Sequence, residues 1–77
     1  MFLFVKYFSD KSEGYCFKSN DVEEVKKVMA EHIEEDLKYY NAHILLNKED
    51  YKEIEYIDGE NGVWQESYYI YYKIIEL

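Results

Sequence analysis

The chain has 77 residues, of which 48% are hydrophobic and 19% aromatic, and its formal net charge is −8. A chain of this length forms one domain that buries only about 60% of its unfolded surface, and it has too many aromatic residues for a disordered tail. We therefore predict a single small acidic α+β domain over residues 1–77. The acidic balance excludes direct binding to nucleic acid and to anionic membrane surfaces, because both need a basic patch.

The sequence also bears on cellular location. The apolar N-terminal segment, residues 1–8, lacks the basic start and the length of a signal peptide. No stretch approaches the ~18–20 apolar residues that cross a bilayer. Cys16 is the only cysteine, so an internal disulfide is excluded, and its place in the apolar triplet YCF predicts a buried structural thiol. These features predict a cytoplasmic protein.

The first predicted element is a β-hairpin. Residues 1–8 are rich in aromatic and β-branched side chains, residues 9–14 have turn chemistry, and residues 15–18 return as a short strand. Both faces of the first strand are apolar: one carries Leu3, Val5 and Tyr7, and the other carries Phe2, Phe4 and Phe8, interrupted by Lys6. We expect both faces to be covered, one by a helix and the other by residues 42–46 or by a partner chain.

An amphipathic helix is predicted from Asp21 to Tyr39 or Tyr40. Asn20 and Asp21 are good N-cap residues, and the acidic residues that follow favour the first turn of a helix. Apolar residues recur at steps of three and four, which predicts that one stripe of the helix faces the sheet. This stripe consists of Val22, Val25, Met29, Ile33 and Leu37.

Two secondary structures are possible for residues 42–46 (AHILL). They form either a third strand or an apolar segment that leads into a short helical turn at residues 47–50. The apolar run is too short for an independent helix, so we favour a strand.

The last third predicts a second hairpin, because DGENG lies between two strand-like segments. A two-residue turn at Asn61-Gly62 would place Glu53 and Glu55 in the core. A three-residue loop, Glu60-Asn61-Gly62, pairs residues of like parity and favours an apolar core face, since a one-residue slip inverts every side chain. The predicted core face then carries Ile54, Tyr56, Trp64, Tyr68, Ile70, Tyr72 and Ile74, and the other face carries Glu53, Glu55, Gln65, Ser67, Tyr69, Tyr71 and Lys73.

Together these elements predict an α+β fold in the order ββαβββ. One long amphipathic helix would pack on one face of an antiparallel sheet.

The sequence contains no motif for catalysis, phosphate binding or a cofactor. His32 lies one helical turn from Asp36 and about one turn from Glu35, which is metal-ligand spacing on a helix, and His43 could approach from the next element. No other feature of the sequence supports a metal site, and a histidine at the boundary of the core is the better interpretation. Paired carboxylates for acid–base chemistry need a cleft that so small a core hardly provides. We predict no cofactor, no metal site and no enzymatic activity.

Acidic residues cluster at the end of the predicted helix, where Glu31, Glu34, Glu35 and Asp36 lie close to the negative end of the helix dipole. One interpretation is a solvated face without further purpose. The other is a surface that imitates nucleic-acid phosphates and occupies a basic groove on another protein.

The predicted open sheet face provides a second candidate surface. It carries Tyr69 and Tyr71 beside Glu53 and Glu55, and tyrosine is enriched at protein interfaces, although it is also an ordinary residue of exposed strands. We predict a protein-binding surface formed by Tyr69, Tyr71, Glu53, Glu55, Glu31, Glu34 and Glu35.

The composition suggests an origin and a function. The chain lacks arginine, proline and threonine and is rich in lysine, glutamate, isoleucine, tyrosine and asparagine, which is typical of AT-rich genomes such as those of low-GC bacteria and their phages. The predicted function is that of a small phage-type or mobile-element inhibitor of a basic, nucleic-acid-handling host or defence protein. The alternative is a structural or regulatory homodimer that self-associates through its open sheet face or its C-terminal edge strand.

Overall fold

The structure is a computed structural model that describes residues 1–10, 14–58 and 65–77. In these residues one helix packs on a five-stranded antiparallel sheet, which confirms the predicted α+β class and the order ββαβββ. The elements are β1 (Phe2–Phe8), β2 (Tyr15–Ser19), α1 (Val22–Tyr39), β3 (His43–Asn47), β4 (Tyr51–Asp58) and β5 (Glu66–Glu76).

The strand order in the sheet is β2-β1-β5-β4-β3. β5, the C-terminal strand, is the central strand and pairs with β1 on one side and with β4 on the other. The prediction of a C-terminal edge strand was therefore wrong. Pairing between distant segments such as β1 and β5 is non-local, and sequence periodicity does not encode it.

The helix α1 begins where the sequence predicts. The Asp21 side chain accepts a hydrogen bond from the Glu23 backbone N–H at 3.0 Å and so caps the first turn. At the other end the helix stops after Tyr39, and Asn41 adopts a left-handed conformation with φ 51°, a common way to end a helix. Among the residues that the structure describes, no helix has both the length and the apolar character needed to cross a membrane.

The core lies between α1 and one face of the sheet. Residues Val25, Met29 and Ile33 of the predicted helix stripe are buried, whereas Val22 and Leu37 at its ends are half-buried. Fully burying one such side chain contributes about 1.5–3 kcal/mol. The sheet contributes four buried side chains to this core, namely Phe4, Ile54, Ile70 and Tyr72.

The hairpin of β4 and β5 has the predicted parity. Ile54 pairs with Ile70 and Tyr56 with Tyr68, so residues of like parity face each other and the even-numbered residues point to the core. The connecting loop predicted at Glu60-Asn61-Gly62 lies outside the described residues, as does Trp64.

Residues 43–47 form the strand β3, which confirms the favoured interpretation of this segment. β3 pairs with β4 at one edge of the sheet, with a bulge between Ile44 and Leu46. Because it extends the sheet sideways, it does not cover the face of the sheet opposite the helix.

Candidate protein-binding face of the sheet

The sheet has a face that points away from α1, which we call the open face. Side chains alternate along a strand, and the even-numbered residues of β1, β4 and β5 face the helix. The odd-numbered residues of these strands therefore form the open face, and its principal members are Leu3, Val5, Tyr7, Tyr51, Glu53, Glu55, Tyr69, Tyr71, Lys73 and Ile75.

A row of side chains crosses the centre of the open face. Tyr7 pairs with Tyr71, which pairs in turn with Glu53. The rings of Tyr7 and Tyr71 stack with their centroids 4.9 Å apart. The Tyr51 hydroxyl donates a 2.7 Å hydrogen bond to Glu53 Oε1. Burial and the interaction with Glu53 raise the pKa of Tyr51 well above its ordinary value.

A second row lies beside the first. Tyr69 pairs with Glu55, which pairs with His43 at the edge of the sheet. His43 Nε2 lies 3.0 Å from Glu55 Oε1, and hydrogen bonding to Glu55 together with its charge raises the pKa of the Tyr69 hydroxyl. The backbone of Tyr69 is fixed by Ser9, since its N–H donates to Ser9 Oγ at 3.0 Å and its carbonyl accepts from the Ser9 N–H at 2.9 Å.

The two carboxylates of these rows have no cationic lysine partner. Within the described residues, neither Glu53 nor Glu55 forms an ion pair with a lysine. Among the described residues, their partners are tyrosine hydroxyls and a histidine. This arrangement places two carboxylates beside tyrosine rings on one face of the sheet.

The exposure of the open face is intermediate. Tyr7 is 42% exposed, and Leu3, Val5, Tyr69, Tyr71 and Ile75 are half-buried, whereas the sheet residues of the core are 0% exposed. The helix, the only one in the described residues, lies on the other side of the sheet. The open face thus combines apolar surface with tyrosine, a combination that is enriched at protein interfaces.

The predicted site residues fall into two separate groups. The structure brings Tyr69, Tyr71, Glu53 and Glu55 together on the open face. Glu31, Glu34 and Glu35 are exposed on α1, on the opposite side of the sheet, and Glu34 forms an ion pair with Lys38 at 3.4 Å. A single flat partner surface therefore does not contact both groups.

Asp36 differs from its acidic neighbours because it is buried. Its Oδ2 lies 2.7 Å from Lys6 Nζ and accepts a 2.6 Å hydrogen bond from the Tyr72 hydroxyl. The sequence carries a signal for this pair: Asp36 follows Met29 and Ile33 at helical spacing, and Lys6 interrupts the apolar face of β1. A carboxylate on an apolar stripe and a cation on an apolar strand face are expected to meet in the core.

The two histidines lie on opposite faces of the sheet. On the helix side, the centroid of the His32 ring lies 4.3 Å from that of Tyr15 and 5.5 Å from that of Phe4. Burial and the nearby Lys6 lower the pKa of His32. His43 lies on the open face beside Glu55. The two imidazoles are therefore not placed to bind the same metal ion, and the described residues contain no group of three potential metal ligands.

Cys16 is exposed, so the prediction of a buried thiol was wrong. It pairs with Val5 and therefore lies on the open face of β2, an edge strand that is covered only on its helix side. An apolar triplet in sequence does not reveal that its strand lies at an edge.

Comparison of the chain with protein-family models, curated protein sequences and solved structures finds no match.

Proposed function

We propose that this chain is a non-enzymatic protein-binding module that inhibits a basic, nucleic-acid-handling protein through its open face. The observation that carries the proposal is the pair of tyrosine–glutamate rows on an uncovered sheet face. Within the part of the chain that the structure describes, Glu53 and Glu55 form no ion pair with a lysine, and they lie beside Tyr71 and Tyr69 on the same face as Tyr7.

This surface suits lysine and arginine side chains of a partner. A cation over a tyrosine ring contributes about 0.5–2 kcal/mol, depending on how far it is removed from water. A carboxylate next to the same ring adds a charge-assisted hydrogen bond. The half-buried Leu3, Val5 and Ile75 supply apolar area around these contacts, which the solvated carboxylates of the helix do not have.

The acidic helix surface has a different role in this proposal. Glu31, Glu34 and Glu35 lie on the far side of the sheet and do not touch a partner bound to the open face. With the net charge of −8, they increase the rate at which a basic partner approaches. Their loss slows association and weakens its salt dependence, whereas loss of open-face residues increases dissociation.

We place this interaction in the bacterial cytoplasm and assign the chain a phage-type or mobile-element origin, as an anti-defence protein. The composition supports this assignment, since it is acidic and typical of AT-rich genomes. Expression in a low-GC bacterium that carries a nuclease-based defence should restore plating of a restricted phage. Unchanged plating across a panel of such defences would contradict the anti-defence role and leave the binding function to be tested separately.

The binding function is tested by capture from a low-GC bacterial lysate on three immobilised proteins. These are the wild type, the open-face variant Glu53→Gln/Glu55→Gln, and the helix variant Glu31→Gln/Glu34→Gln/Glu35→Gln. The two variants make the same carboxylate-to-amide change on opposite sides of the sheet. We expect the wild type and the helix variant to retain the same basic protein, in a salt-sensitive manner, and the open-face variant to lose it. Loss on the helix variant with retention on the open-face variant would contradict the proposal.

A further inference from the structure

The edge strand β3 differs in charge from every other strand that the structure describes. Its sequence, HILLN, contains no lysine, aspartate or glutamate, whereas β1, β2, β4 and β5 each contain at least one. Natural sheets protect their edges against pairing with charged side chains, especially lysine. Lys18 protects the opposite edge, β2, in this way, and β3 has no such residue.

The side chains of β3 are apolar and accessible. Ile44 is 45% exposed and Leu45 is 47% exposed. Ile44 pairs with Ile54 and shares the helix side of the sheet, while Leu46 pairs with Glu53 and lies on the open-face side. A strand that presents apolar side chains on both sides suits another apolar strand at its edge.

We infer that β3 pairs with β3 of a second copy of this chain, antiparallel and about a two-fold axis at Leu45, to form a continuous ten-stranded sheet in a homodimer. This register is self-complementary, because Leu45 faces Leu45 of the other copy at the two-fold axis. Each copy has a charge of −8, so two copies approach with least repulsion where neither strand carries a charge.

The pairing is short and therefore weak. β3 has five residues, and the bulge between Ile44 and Leu46 interrupts the regular ladder. We expect a dissociation constant on the order of 100 µM, which corresponds to about 5.5 kcal/mol. The dimer leaves both open faces free and does not depend on the function proposed for them.

Sedimentation equilibrium from about 10 µM to about 1 mM tests the inference on three proteins. Leu45→Lys places two like charges together at the two-fold axis, whereas the matched control Ile57→Lys changes an exposed apolar residue of β4 beyond the segment that pairs with β3. We expect the wild type and Ile57→Lys to dimerise alike, and Leu45→Lys to raise the dissociation constant at least about tenfold, with an unchanged circular dichroism spectrum. If Leu45→Lys does not fold, Ile44→Lys takes its place.

Three outcomes would overturn the inference. One is a wild type that stays monomeric at about 1 mM. Another is an equal loss of dimer in the Ile57→Lys control, which would assign the effect to net charge. The third is a dimer that survives Leu45→Lys but is lost in Tyr71→Ser, which would place self-association on the open face.

Discussion

The two faces of this sheet are formed by the same strands but differ in how deeply their side chains are buried. In β5, Ile70 and Tyr72 are 0% exposed beneath the helix, whereas their neighbours Tyr69 and Tyr71 are half-buried on the open face. Both faces are apolar enough to be covered, yet the described residues contain one helix. One face thus forms the core with the helix, and we propose that the other keeps similar surface available for a partner.

The charges of the two faces differ in the same way. On the helix side, the Asp36 carboxylate is compensated by Lys6 and by the Tyr72 hydroxyl. On the open face, the partners of Glu53 and Glu55 among the described residues are tyrosine hydroxyls and His43. The buried carboxylate is thus paired with a lysine of the same chain, whereas within the described residues the two carboxylates proposed to bind a partner are not paired with a lysine.

The largest effect is expected from breaking the buried pair. Asp36→Ala leaves the Lys6 ammonium buried without a counter-ion and should lower the free energy of unfolding by about 3–5 kcal/mol. Urea denaturation measures this loss. The double variant Lys6→Met/Asp36→Leu removes both charges and should be more stable than Asp36→Ala. A cost for Asp36→Ala below about 1 kcal/mol would show that the pair is in effect solvated.

The next largest effect is expected from truncating adjacent residues of β5, one on each face of the sheet. Ile70→Ala creates a cavity beneath the helix and should cost about 2–5 kcal/mol of unfolding free energy. Tyr71→Ala removes the stack on Tyr7 and should cost about 1 kcal/mol, while it abolishes partner binding. Both losses can be measured by urea denaturation. Equal destabilisation by the two variants would mean that the open face is a second core.

A smaller effect on the free energy of unfolding is expected when one hydroxyl is removed from each face. Tyr72→Phe deletes the donor to the buried Asp36 carboxylate and should lower the free energy of unfolding by about 1.5–3 kcal/mol. Tyr69→Phe deletes a hydroxyl beside the accessible Glu55 and should leave urea denaturation unchanged within error. The reverse order of effects would contradict the assignment of the two faces.

The smallest effect concerns pH and His32. Burial, together with Lys6, lowers the pKa of His32 below the ordinary value of 6.5, against the weaker opposing charges of Asp36, Glu35 and Glu31. The unfolded chain therefore binds a proton at a higher pH than the folded chain, and stability falls as the pH falls through 6.5 toward the pKa of the folded state. Urea denaturation at about pH 7 and about pH 5 should show a smaller decrease in His32→Gln than in the wild type. An equal decrease in both proteins would assign the effect to other groups.

The sequence predicts the local features of this fold well. Alternation in β5 separates Tyr72 from Tyr71, and the acidic residues of β4 fix which face of the hairpin is buried, because a slip would place Glu53 and Glu55 in the core. Helix spacing and the Asp21 cap likewise define α1. These signals are contained within single elements or between strands joined by one turn.

Features that depend on distant contacts were missed. The central position of β5 requires pairing with β1, which lies at the other end of the chain. The exposure of Cys16 follows from the edge position of β2, and the burial of Asp36 from the approach of Lys6. For the same reason the predicted protein-binding surface included both Glu31 and Glu53, although they lie on opposite sides of the sheet.

Photo-crosslinking tests the division between the two faces most directly. A photoreactive phenylalanine replaces either Tyr71 on the open face or Glu31 on the helix, and the protein is irradiated in low-GC bacterial cells. The account predicts that the probe at position 71 crosslinks to one basic, nucleic-acid-handling protein and that the probe at position 31 does not. A partner crosslinked from position 31 but not from position 71 would contradict it.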